Sequence, residues 1–141
     1  MDIPALLQQY LEAGDYQTAT PPTKADIQAA AQQLGVQFPH SFVDFVRQVD
    51  WLTIDNQYFY GIPHGLSPEG NVVRMTAYAR DTWQLPPDYI VISSSDDVVL
   101  WCLHTGEPNP PLMACDTAQH SFGGRVADSL QHALYDYITA A

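Results

Sequence analysis

The chain has 141 residues, 46% of them apolar, enough for one well-packed core and too many for a disordered segment. Sixteen acidic residues against five basic ones give a net charge of −11, a field that repels nucleic-acid phosphates and anionic lipid and favours cationic surfaces. No apolar run is long enough to cross a bilayer, and Met1-Asp2-Ile3-Pro4 has neither the basic start nor the apolar stretch of a secretory leader, so the expected location is the cytoplasm.

Ile3, Leu6, Leu7, Tyr10 and Leu11 recur at helical spacing and predict a helix over residues 3–13, stopped by Gly14. Residues 15–22 read as a polar connector closed by Pro21-Pro22. Thr23 followed by Asp26 is a capping-box pattern opening a second helix, with Ile27, Ala30, Ala31 and Leu34 as its apolar stripe and Gly35 as its stop. Val36-Gln37-Phe38-Pro39 is an extended link, because the residue before proline avoids the helical region. A third helix over 40–49 turns Phe42, Phe45, Val46 and Val49 inward, and the tight link predicts an αα-hairpin. Tyr58-Phe59-Tyr60-Gly61-Ile62 predicts a strand ending at Pro63. Asn71 caps a helix carrying Val72, Met75, Thr76 and Ala79 toward the core, and Leu85-Pro86-Pro87-Asp88 interrupts it.

The third quarter has the strongest β signal. Tyr89-Ile90-Val91-Ile92 and residues 98–103 flank the turn-like Ser93 to Asp97 as a hairpin with a long loop. A proline-bearing loop leads to a further strand, Leu112-Met113-Ala114-Cys115. A last helix, starting at Asp128 or Ser129, presents Leu130, Ala133, Leu134, Tyr137 and Ile138 on one face. There is no internal repeat and no second-domain linker. The expectation is a single α+β domain spanning 1–141, a small, mostly antiparallel sheet flanked by helices.

Side chains that carry chemistry are sparse. Two cysteines, Cys102 and Cys115, make no disulfide framework and read as buried thiols. With His104 and His120 they form the one conceivable zinc set, since Cys102 and His104 alternate to the same face of a strand. Their spacing matches no zinc knuckle or finger, so no metal and no cofactor is expected. No serine stands in a Gly-x-Ser-x-Gly elbow, and Gly123-Gly124 lacks the strand–glycine–helix setting of a phosphate cradle. Adjacent carboxylates on a turn, as at Asp96-Asp97, are solvated more often than poised for acid–base work. The expectation is a protein without catalysis.

Binding has better candidates. Asp55, Asp96, Asp97, Glu107 and Asp116 lie in or beside predicted loops, and Trp51, Tyr58, Tyr60 and Trp83 flank the middle region. The acids are expected to meet lysines and arginines of a basic protein partner, with one or two aromatics as anchors. The opposing reading is that these aromatics belong to the core and the acids form an ordinary wet surface.

Ile27, then Leu34-Gly35-Val36, then Phe38-Pro39 followed by Phe42 and Phe45, resembles the opening signature of the SUKH superfamily, the Smi/Knr cell-wall-assembly-regulator type of domain. The strand Tyr89 to Ile92, the hairpin with acidic residues, the strand ending in Cys102-Leu103 and the helix introduced by Ser129-Leu130 are similar too, so the resemblance covers residues 20–139, with helix 3–13 appended. The chain departs from the family pattern at Ala31, Asp50-Trp51 and His104, where the family usually has a glutamate, an Asn-Gly turn and an acidic residue. The resemblance implies an immunity protein that binds and neutralises a cognate toxin, as bacterial members do, or a regulatory interaction module with an endogenous partner, as fungal relatives are. An enzyme or metal-dependent hydrolase ranks behind both.

Overall fold

Capping chemistry sets the helix starts in the computed structural model, which describes residues 1–54, 57–64, 70–94, 99–118 and 121–140. Helix α1 (Ile3–Tyr10) begins where Asp2 Oδ1 accepts the Ala5 N–H at 3.0 Å. It stops short of residue 13 because Leu11 turns extended and packs against the core. Helix α2 (Lys24–Leu34) has the full capping box: Thr23 Oγ1 accepts from Asp26 N–H at 3.1 Å and Asp26 Oδ2 from Thr23 N–H at 2.9 Å. Those bonds, the backbone one first, hold the Asp26 carboxyl below the usual carboxylate range. Gly35, at φ 69°, closes α2 in the left-handed region that glycine tolerates. Helix α3 spans His40–Val49. Asn71 Oδ1 caps α4 (Val72–Trp83) and Ser129 Oγ caps α5 (Leu130–Ala140), each accepting an N–H at 3.0 Å.

Among the described residues seven strands form one sheet in chain order, each antiparallel to the next: β1 (Tyr16–Thr18), β2 (Leu52–Ile54), β3 (Gln57–Phe59), β4 (Tyr89–Ser94), β5 (Val99–His104), β6 (Leu112–Asp116) and β7 (Ser121–Ala127). The register of β4 against β5 shifts between Val91 and Ser93, and the Val91 N–H bonds Thr76 Oγ1 of α4 at 2.9 Å. On β7 the register against β6 shifts twice, leaving Gly123 and Val126 without a partner residue. The α+β architecture matches the sequence expectation, with helices flanking a wholly antiparallel sheet.

Phe59 marks where the layers meet. Its ring lies 6.2 Å from Phe45 of α3, 6.0 Å from Trp101 of β5 and 6.1 Å from Tyr137 of α5, so those helices cover one face of the sheet. Val91, Leu100 and Cys102 alternate to the other face and are fully buried as well. Helix α4 packs along β4, and α2 packs on α4, where Arg80 Nη1 donates to the Leu34 carbonyl at 2.9 Å. Gln48 of α3 ties down the N-terminus by accepting from Ile3 N–H at 2.8 Å.

Further expectations are corrected. Helices α2 and α3 do not form an αα-hairpin: α3 packs on α1 and α5 while α2 packs on α4. The extended link at residues 36–39 lets the two part company. The middle strand is shorter than residues 58–62, since the chain leaves the ladder after Phe59. Ser93 and Ser94, read as turn, are instead the buried end of β4, paired with Phe59 and Tyr58 of β3. The connector at 15–22 contains β1, and β2 and β7 were not anticipated.

Candidate functional site

The hairpin of β2 and β3 alternates cleanly. Leu52, Ile54, Gln57 and Phe59 are buried, while Thr53 and Tyr58 pair across the strands and face outward. Gln17 of β1 joins that row opposite Thr53. Trp51, just before β2, and Tyr60, just after β3, continue it at alternate positions. Together with Asp15 these side chains line a cleft of about 440 Å3 bordered by Gly14 and Gly70. Tyr58 is 53% exposed at its rim, whereas Tyr60 is 6% exposed and its hydroxyl shares a short hydrogen bond with Ser94 Oγ. Among the described lining residues Asp15 is the one carboxylate, and none is a lysine, arginine or histidine.

Asp50 sets the spacing of the cleft's aromatic residues. It is 1% exposed and sits at φ 63°, ψ −88°, a strained conformation for a residue with a Cβ. Its Oδ1 accepts the Ile62 N–H at 2.9 Å and its Oδ2 lies 3.1 Å from His64 Nε2. A Cβ at Gly61 would stand 2.4 Å from Asp50 Oδ1 and 2.8 Å from the Asp50 carbonyl carbon, so only glycine fits this approach. Burial pushes the Asp50 carboxyl up, opposed by the Ile62 N–H and by His64. The staple joins the residue before Trp51 to the residues after Tyr60. Beneath it, Gln57 Nε2 donates to Ser93 Oγ, which donates to the Tyr58 carbonyl, both at 2.6 Å, locking β3 to β4.

The SUKH_5 family model, described as SMI1-KNR4 cell-wall, matches residues 3–139. The chain belongs to this family. The match begins at α1, whose Ile3 and Leu7 are each 1% exposed within the SUKH_5 core. No curated protein matches the chain. Among solved structures it is similar to a protein from Pseudomonas syringae pv. tomato, at 14% identity with a TM-score of 0.74, covering 98% of this chain and 99% of the other. That likeness is one of fold.

The candidates named from sequence divide. Trp51 and Tyr58 meet in the cleft, with Tyr60. Asp116 pairs with Val99 at the end of β5 nearer the cleft, but three strands from Tyr58, and its Oδ1 accepts the Ala118 N–H at 3.0 Å. Glu107 follows the opposite end of β5, where its Oε2 lies 3.3 Å from His104 Nδ1. Trp83 ends α4, edge-on to Tyr78 at 5.0 Å, and takes no part in the cleft. Asp55, Asp96 and Asp97 lie outside the described residues.

For the zinc alternative, His120 also lies outside the described residues. His104 Nε2 is bonded to Asp88 Oδ2 at 2.8 Å, and burial raises both cysteine thiols, which disfavours thiolate. Among the described residues no group of three or more His, Cys, Asp or Glu could hold a metal ion. Sequence reasoning missed Asp15 and Gln17, which it assigned to a connector, and the role of Asp50. The available signal was Gly61 inside an aromatic β run, a mark of close backbone approach.

Proposed function

We propose that the chain is an immunity-type protein that binds and neutralises a cognate basic toxin domain in the cytoplasm, without catalysis or cofactor. The observation that carries this reading is the open aromatic cleft on β1–β3 of a chain with net charge −11. An exposed tyrosine over a rigid sheet face is the kind of residue that anchors an interface. The carboxylates of Asp55, Asp96, Asp97, Glu107 and Asp116 add long-range attraction that speeds encounter. Among the described residues no helix is long and apolar enough to cross a membrane.

The test is co-expression with the toxin encoded beside the gene. Growth is restored by the wild-type chain, and the association rate of the purified pair falls as salt rises. Absence of protection against that toxin defeats the proposal. The cell-wall wording of the family description favours a second reading, a regulatory module with an endogenous partner. Recovery of one abundant partner from unchallenged cells would support that reading instead.

A further inference from the structure

We infer that the β1–β3 cleft receives an arginine side chain of the protein partner, between its aromatic rings and the Asp15 carboxylate. The inference rests on the proposed partner-binding role and specifies what the partner must offer. Trp51, Tyr58 and Tyr60 supply aromatic rings, and Asp15 supplies the only formal charge among the described lining residues. Gln17 and Thr53 add side-chain oxygens that accept hydrogen bonds.

Each alternative occupant fits this chemistry less well. An apolar side chain would cover Asp15, Gln17 and Thr53 without satisfying them. An anionic one would meet the carboxylate within a chain of net charge −11. A lysine ammonium satisfies the charge but is a strongly hydrated point, whereas a guanidinium is planar, stacks on rings and presents a donor fork to a carboxylate. The cleft is also preorganised. Asp50 staples the segments bearing Trp51 and Tyr60, and the Tyr60 hydroxyl is bonded to Ser94. Binding therefore spends little on ordering the receptor.

The experiment titrates the full chain with the capped peptide acetyl-Gly-Arg-Gly-amide and follows the three tryptophan indole N–H signals by NMR, assigned with Trp51→Phe. Controls replace the arginine with citrulline, its neutral isostere, or with lysine. The Trp51 signal should move in a saturable way at millimolar arginine peptide while Trp83 and Trp101 stay fixed. Citrulline peptide should move none, and lysine peptide should bind more weakly. Asp15→Asn should weaken the arginine peptide about threefold, and Tyr58→Ala about fivefold. A static Trp51 signal, an equal response to citrulline or lysine, or movement centred on Trp83 or Trp101 overturns the assignment. No toxin enters this titration. Arginine binding without growth protection would retain the cleft and defeat the immunity reading, and protection without arginine binding would do the reverse.

Discussion

The two wings of the sheet are built differently. In β4–β6 both faces are covered, and Ile90, Val91, Leu100, Cys102, Leu103 and Leu112 are all fully buried. In β1–β3 the strands are three residues long and one face is open, and the single apolar face of Leu52, Ile54 and Phe59 is supplemented by a buried carboxylate, a glycine and a serine–glutamine link. The first wing is held by apolar area on both faces, the second by one apolar face and a few directional contacts. Rigidity obtained through directional contacts leaves the outer face free for recognition, while apolar cover uses both faces.

The largest effect should come from the covered wing. Leu100→Ala empties a fully buried site and should cost about 3 kcal/mol, read as a lower urea midpoint at unchanged slope. A loss below about 1 kcal/mol would break the contrast, because β5 would then not depend on its packing.

Asp50 should come next, with a pH signature. Asp50→Ala leaves the Ile62 N–H without its acceptor and puts a Cβ-bearing residue lacking that bond at φ 63°, for a loss of about 1–3 kcal/mol. Asp50→Asn keeps a side-chain oxygen to accept the Ile62 N–H, so it should stay nearer wild type. Because burial raises the folded carboxyl above its unfolded value of about 3.9, its stabilising contribution is complete below that pH and is lost as pH rises through the raised value. Urea midpoints measured from pH 4 to pH 8 should show this slope in the wild type and lose it in Asp50→Asn. An identical slope in both would remove Asp50 as its source.

Tyr58→Ala should change least in stability, within about 0.5 kcal/mol, because the side chain is exposed. If the wing exists for recognition, the same variant should lower affinity for a partner about tenfold or more. A variant that loses stability and keeps its affinity would reverse the comparison.

The same contrast explains what was legible beforehand. Thr23 with Asp26, Gly35, and Asn71 ahead of Val72 place helix ends by local chemistry, and each appears in its expected role. The runs Tyr89 to Ile92 and 98–103 are apolar enough to be recognised alone, whereas Ser93 and Ser94, polar by type, read as turn although they continue β4. Strands of three residues such as Tyr16–Thr18 and Leu52–Ile54 carry too few alternations to show a period, and their pairing depends on residues far away in sequence. Strand β7 begins Ser-Phe-Gly-Gly, which reads as loop until β6 is there to pair with it. Within the site, Trp51 and Tyr58 could be named by residue type, but their meeting with Asp15 depends on the register of β1 on β2.

The two register shifts on β7 have a consequence for crowding. An outermost strand normally offers a ready row of amide and carbonyl groups to any passing chain, and stacking of that kind seeds fibres. Here one rim is interrupted at Gly123 and Val126, with Gly123 at φ 120°, and the other rim, β1, is three residues long. Neither rim offers a long regular template, so the molecule should stay dispersed when concentrated even though its sheet is never closed into a barrel.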